Sequence, residues 1–136
     1  MKVYYYSRTK RSQKMAERVG ELHGCSVYQI TDSLVGEKPA SFLKCGAMSS
    51  SEKITEATYE PPSVEDTIVL VFPLWAGKFP PAIRAFLQVV SKEKIIAVPT
   101  SLGTKLKDRN GFIAVVDLVG KEIEVPDLSG FIAENK

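Results

Sequence analysis

The sequence offers little for metal or disulfide chemistry. Its 136 residues include two cysteines and one histidine, and Cys25, Cys45 and His23 stand apart with no second pair, which supports neither a disulfide framework nor a zinc site. Both cysteines are read as buried or idle thiols. No apolar run approaches the roughly 20 residues a bilayer-spanning helix needs. Residues 1–4 lead straight into a strand-like pattern, without the apolar stretch and cleavage site of a secretion signal. A cytoplasmic protein with no membrane partner is the expectation. An excess of one charge is also missing, since a formal net charge of +2 gives no argument for a nucleic-acid partner. There is no GxGxxG and no GxxxxGK[ST], and Gly103-Thr104-Lys105 lacks the spacing that would make it a triphosphate loop. The neighbouring acids Glu65 and Asp66 precede an apolar run and read as a solvated lead-in rather than an acid-base pair. His23 falls at the end of a helix pattern, where a partial positive charge suits the dipole. No catalytic side chain stands out.

What is present is the composition of one globular domain spanning 1–136, with 44% hydrophobic and 25% charged residues. The charge is unevenly placed: Lys2, Arg8, Lys10, Arg11 and Lys14 crowd the first 14 residues with no acid among them, which suits an anionic ligand. Residues 2–6 form a β-prone run. From Ser12, the apolar Met15, Ala16, Val19 and Leu22 recur at helical spacing until Gly24 offers a left-handed stop. Residues 26–30 read as a second strand, and Pro39 opens a helix carrying Phe42, Leu43 and Ala47. A polar stretch between Ser49 and Pro62 is a long surface connection, because neither side could bury a core alone.

Residues 67–72 are almost continuously apolar and β-branched, the signature of a strand covered on both faces. After Pro80-Pro81, residues Ile83, Phe86, Leu87 and Val90 follow the helical rule, and residues 94–98 give another buried strand. Residues 112–119 fit both periods, with β-branched content favouring a strand and Phe112, Val115, Val116 and Val119 lying on one helical face. The helix is preferred. That leaves 121–125 as an edge strand and Leu128, Phe131 and Ile132 for a terminal helix.

Five alternating strand-helix units imply an α/β, doubly wound fold: a five-stranded parallel sheet in the order 2-1-3-4-5 with helices on both faces. In that order, ligands bind beyond the carboxyl ends of the strands, where the winding reverses between the first and third. Three loops should converge there. Ser7-Arg8-Thr9-Lys10-Arg11-Ser12 combines hydroxyls, cations and a helix N-terminus, which suits a phosphate monoester; the same residues would also make a solvated turn with a serine cap. Pro73-Leu74-Trp75-Ala76-Gly77-Lys78 puts the one tryptophan after a buried strand, either as a stacking face for a planar ring or as a cap on the core. Gly77 permits close backbone approach. Pro99-Thr100-Ser101-Leu102-Gly103-Thr104-Lys105 supplies backbone donors and a polar, flexible second wall. A phosphate grip and two walls on one edge describe a site for a flat ring system bearing a phosphorylated side chain.

These residues resemble the short-chain flavodoxins and other flavodoxin-like FMN-binding proteins, from about Lys2 to Val90 and more loosely beyond. Val3-Tyr4-Tyr5-Tyr6-Ser7-Arg8-Thr9 followed by Lys10-Arg11-Ser12 is similar to the family's phosphate loop. The segment from Asp66 through Trp75-Ala76-Gly77 into Phe79-Pro80-Pro81 is similar to its flavin-contacting segment, and is the more specific match. The resemblance implies FMN as cofactor, with Ser7, Thr9 and Ser12 on its phosphate, Trp75 against the ring, backbone at Ala76, Gly77 and Lys78 near its redox edge, and Ser101, Leu102 and Gly103 on the other side. It implies an electron carrier or a small FMN-dependent oxidoreductase, in which the flavin moves the electrons and the protein tunes it. The partner would be a redox protein or a small electron acceptor. Two features depart from the family: Lys10 and Arg11 stand where it usually has glycine and a small polar residue, and the chain is slightly basic where freely diffusing flavodoxins are acidic. The alternative expectation is a flavodoxin-like module without flavin, which binds another phosphate compound or a protein through the Lys10 and Arg11 edge.

Overall fold

The structure, a computed structural model, describes residues 1–7, 10–31, 57–63, 66–120, 124–128 and 130. The chain runs through β1 (Lys2–Tyr5), α1 (Arg11–His23), β2 (Val27–Gln29), β3 (Ile68–Pro73), α2 (Pro81–Val89), a 3₁₀ turn at Lys92–Lys94, β4 (Ile95–Ser101), β5 (Ala114–Val115) and β6 (Leu118–Val119). All strand pairs are parallel and the order is β2-β1-β3-β4-β5, with β6 pairing β4 further along the same edge.

Alternation along the central strands sorts the core into two layers. Val3, Tyr5, Val69, Val71, Ile96 and Val98 face one side with Met15, Ala16 and Val19 of α1. Tyr4, Tyr6, Leu70, Phe72, Ile95 and Ala97 face the other with Ala82, Ile83 and Phe86 of α2. A strand buried on both faces has no polar side, which is why residues 68–72 read as one apolar run. Each fully buried aliphatic or aromatic side chain contributes roughly 1.5–3 kcal/mol, so these two layers hold the sheet together.

The helices start and stop for local reasons. Gly24, at φ 64°, ends α1 and its N–H reaches the Gly20 carbonyl. Pro81 opens α2, where its missing donor costs nothing. At its far end α1 meets the sheet through Gly20: a Cβ there would come within 2.4 Å of Val27 Cγ2. The buried stripe of the helix therefore runs through Ser12, Met15, Ala16, Val19 and Gly20, while Leu22, expected on that stripe, is 55% exposed. His23 is half-buried and its Nε2 accepts a hydrogen bond from Leu128 N at 3.2 Å. The ring is thus tied to the backbone of the C-terminal segment at Leu128 as well as standing at the helix end. Cys25 is half-buried, with Sγ 3.4 Å from the His23 carbonyl.

Beyond β4 the structure corrects the sequence reading. Residues 112–119 form two short strands, not a helix, and residues 102–113 join β4 to β5 without one. Ile113 N and Val116 N donate to the Ile95 and Ala97 carbonyls at 2.9 and 2.8 Å; β4 would otherwise leave these acceptors unpaired, and the β-branched residues satisfy them. Asp117 interrupts the ladder between β5 and β6. Its carboxylate accepts from Leu106 N at 3.1 Å and pairs with Arg109 at 2.7 Å, which ties the preceding loop to the sheet edge. Glu124 and Val125 carry no strand. The helix expected after Pro39, Cys45, and most of the expected terminal helix lie outside the described residues; Leu128 alone of its apolar positions is described, fully buried against the α1 side. Among the described residues no helix is long and apolar enough to cross a membrane.

Candidate binding cleft

The carboxyl ends of β1, β3 and β4 open on a cleft of about 500 Å³, within the size range of small-molecule and cofactor sites. Ser7, Arg11 and Ser12 line it from the β1 side, Pro73, Leu74 and Trp75 from β3, and Thr100, Ser101, Leu102, Gly103 and Thr104 from β4. It sits where the winding reverses, between the strand that leads to β2 and the strand that lies on β1's other flank.

One end of the cleft gathers hydrogen-bond donors and positive charge. Helix α1 begins without a side-chain cap, so the first-turn N–H groups and the positive end of the dipole are unneutralised by any acid there. Ser7 is 7% exposed, and its Oγ has no hydrogen-bond partner among the described residues. A buried hydroxyl left unpaired costs on the order of 1–3 kcal/mol, a loss that a ligand oxygen would recover. Arg11 reaches across to the Gly120 carbonyl through Nη2, while its buried Nε has no hydrogen-bond partner among the described residues. Lys10 precedes the helix in the left-handed region, at φ 67° and ψ −4°. That conformation explains why glycine would be the easy residue at this position. The Lys10 side chain is exposed and does not line the cleft. Arg8 and Thr9 lie outside the described residues.

Ser12 points the other way. Its Oγ lies 2.9 Å from Thr100 Oγ1 in a buried contact, and Thr100 Oγ1 in turn donates to the Phe72 carbonyl at 3.5 Å. Either hydroxyl can donate in the Ser12–Thr100 pair, and the bond fastens α1 to β4 instead of capping the helix.

The other end is apolar. Trp75 is 5% exposed and packs edge-on against Tyr6, with ring centroids 5.8 Å apart, so the indole caps the core and lines the cleft at once. Trp75 and Lys78 exchange both backbone hydrogen bonds, at 3.0 and 3.1 Å. The two residues between them have positive φ, 58° at Ala76 and 76° at Gly77, which is the mirror-image tight turn. Opposite, Leu102 is 68% exposed, an apolar side chain held out at the cleft's edge. Its loop is closed by Ser101, whose Oγ accepts from Thr104 N at 3.2 Å and donates to the Thr104 carbonyl. Among the remaining expected site residues, Ala76 is exposed on the turn, and Gly77 and Lys78 line a separate pocket of about 240 Å³ with Phe79, Arg84, Lys107 and Asp108.

Thr100 and Thr104, inside the third expected loop but outside the Ser101–Gly103 contacts that the resemblance implies, also line the cleft. For Thr100 the signal lies in the alternation of β4, since Ile96, Val98 and Thr100 share one face and that face meets α1. The closing of Ser101 on Thr104 becomes visible only in the structure.

No protein-family model matches the chain, and no curated protein matches it. Among solved structures, a flavoprotein from Lactobacillus acidophilus crystallised in complex with FMN is similar at 19% identity, with 98% of this chain and 97% of that chain covered and a TM-score of 0.68. Candidate flavoproteins from Bacteroides uniformis and Bacteroides eggerthii are similar at 19% and 18% identity, with TM-scores of 0.65 and 0.64. They cover 99% and 97% of this chain, and 97% and 92% of their own. At this similarity over nearly the whole length, the chain has the flavodoxin-like fold of these proteins.

Proposed function

We propose that this protein binds FMN in the cleft at the β1, β3 and β4 ends and works as a redox flavoprotein. The observation that carries this reading is a single cleft with an anion-receptive end at Ser7, Arg11 and the uncapped start of α1, and an apolar end at Leu74, Trp75 and Leu102. The similar structure from Lactobacillus acidophilus that holds FMN supports it.

The residues present fit the group. Ser7 Oγ and the first-turn N–H groups of α1 are donors without a partner side chain among the described residues, and a phosphate dianion is an acceptor that can use all of them. Arg11 adds a fixed charge, because its hold on the Gly120 carbonyl limits its rotamers. Ser12 contributes by keeping α1 against β4, so that both sides of the cleft stay in register. Leu74, Trp75 and Leu102 give the ring apolar surface and exclude water from it. Lys10 already adopts the backbone conformation that glycine would supply, with its side chain exposed, so the departure from the family's glycine takes no room in the described cleft. When bound, FMN supplies one- and two-electron transfer, and the protein need provide no nucleophile. The partner is a redox protein or a small electron acceptor in the cytoplasm.

The test is direct. Titrating flavin-free protein with FMN should quench flavin fluorescence to a saturable end point in the micromolar range, about −8 kcal/mol, and the loaded protein should be yellow and reducible by dithionite. Protein that leaves free FMN fluorescence unchanged refutes the reading.

A further inference from the structure

We propose that Asp117 is a positioning residue for the apolar end of the cleft: from the sheet edge it sets the spacing between the wall at Leu74 and Trp75 and the wall at Leu102, Gly103 and Thr104. Asp117 is not among the residues that line the cleft. It acts through Leu106 and Lys107, which link the two walls.

Residues 102–113 have no helix or strand of their own, and a connection of that length depends on a few side-chain ties for its shape. The Asp117 carboxylate, whose side chain is only 10% exposed, makes the central one. Its Oδ1 accepts from Leu106 N at 3.1 Å and its Oδ2 holds Arg109 Nη1 at 2.7 Å. The same Nη1 donates to the Leu106 carbonyl at 3.4 Å, so one ion pair fixes both backbone polar groups of Leu106. The Leu106 side chain is buried in the core layer that holds Phe72, Trp75 and Phe79. One residue on, Lys107 N donates to the Gly77 carbonyl at 3.3 Å, inside the tight turn that Trp75 and Lys78 close. On the other side of Leu106, the bonds between Ser101 and Thr104 shape the second wall. Contacts therefore run from Asp117 to the Trp75 turn directly through Lys107, and to the second wall through the chain between Thr104 and Leu106. At the anion-receptive end, Arg11 and Ser12 bond Gly120 and Thr100 instead. Walls held in place before a ring arrives spare the ligand the entropy of ordering them. The effect on flavin binding rests on the FMN reading; the brace between the walls does not.

The experiment compares the parent with Asp117→Ala and with Asp117→Asn, which keeps an acceptor for Leu106 N. In flavin-free protein, amide hydrogen exchange at Leu106 and Lys107 should quicken about tenfold or more in Asp117→Ala and less in Asp117→Asn. The Trp75 indole signal should move, while the amides of Val69 and Val71 in β3 keep their parent rates. FMN and riboflavin, which lacks the phosphate, should both bind about tenfold more weakly to Asp117→Ala, so that the ratio of their affinities, which reports the phosphate end, stays at the parent value. Parent-like exchange at Lys107 overturns the proposal, as do unchanged affinities for both flavins or a loss for FMN alone. Where Asp117→Ala loosens the β3 amides as well, Asp117→Asn decides by the same criteria. A parent that binds neither flavin refutes the FMN reading, and exchange at Lys107 with the Trp75 indole signal then decides the brace by itself.

Discussion

Ala76 holds φ 58° in the turn after Trp75, a region that costs an L-residue roughly 1–2 kcal/mol. Replacing it with glycine removes that strain and adds about 0.5–1 kcal/mol of unfolded-state entropy. Ala76→Gly should therefore raise stability by about 0.5–1 kcal/mol, seen as a thermal midpoint roughly 2–4 °C higher; a lower midpoint would show that the turn is not strained. The Ser12 and Thr100 hydroxyls make a second test. Ser12→Ala alone takes away the buried Thr100 hydroxyl's partner at 2.9 Å and should cost about 1–2 kcal/mol in urea unfolding. Adding Thr100→Val removes both polar partners, so the double variant should lose clearly less than the two single losses added together. Simple additivity would mean that the two hydroxyls do not act as a pair.

At the scale of elements, β1 is tied to the start of β3 by charge as well as by its ladder. Lys2 Nζ lies 2.9 Å from Asp66 Oδ2, and that carboxylate also accepts from Ser63 N at 2.8 Å. The hydrogen bond from Lys2, then that from Ser63, hold the Asp66 pKa below its usual value, so its contribution is complete above that usual value and is lost as pH falls through the lowered one. Asp66→Asn should flatten the acid limb of stability against pH while leaving the slope near neutrality alone; an unchanged acid limb would remove Asp66 from it. On the alkaline side the buried Tyr4, which donates to the Glu60 carbonyl at 2.6 Å, is pushed up to about 12, chiefly by burial and then by Tyr28. Its stabilising effect is present below pH 10 and fades as pH rises through 12, so Tyr4→Phe should lessen the fall in stability over that window. A fall as steep as the parent's would contradict this. The elements that the sequence displayed most clearly were those with one dominant period: the apolar run of β3, the Gly24 stop of α1 and the Pro81 start of α2. Residues 112–119 misled because Phe112, Val115, Val116 and Val119 satisfy a helical stripe too, and what decides between the periods is the unpaired edge of β4, which no local pattern displays. The site was legible in the same uneven way. Its three loops followed from strand order, whereas the commitment of Ser12 to Thr100 depends on how α1 lies across the sheet.

For the molecule as a whole, the cleft is assembled from three strand ends that are far apart in sequence, so a ligand there binds only the folded chain. Binding of this kind adds about 2.7 kcal/mol at a ligand concentration one hundred times the dissociation constant, and FMN in that excess should raise the thermal midpoint by several degrees. Ser7 separates stability from binding. Because its buried Oγ has no partner among the described residues, deleting the hydroxyl removes no protein contact described here and relieves an unpaired polar atom. Ser7→Ala should therefore melt at or slightly above the parent without flavin, yet gain less from FMN, its affinity lowered by about tenfold for the loss of one charge-assisted hydrogen bond. A structural serine would behave in the opposite way, melting lower without flavin and responding to FMN as the parent does. Paired melting curves with and without FMN distinguish the two, and an equal FMN shift in both proteins would take Ser7 out of the phosphate grip.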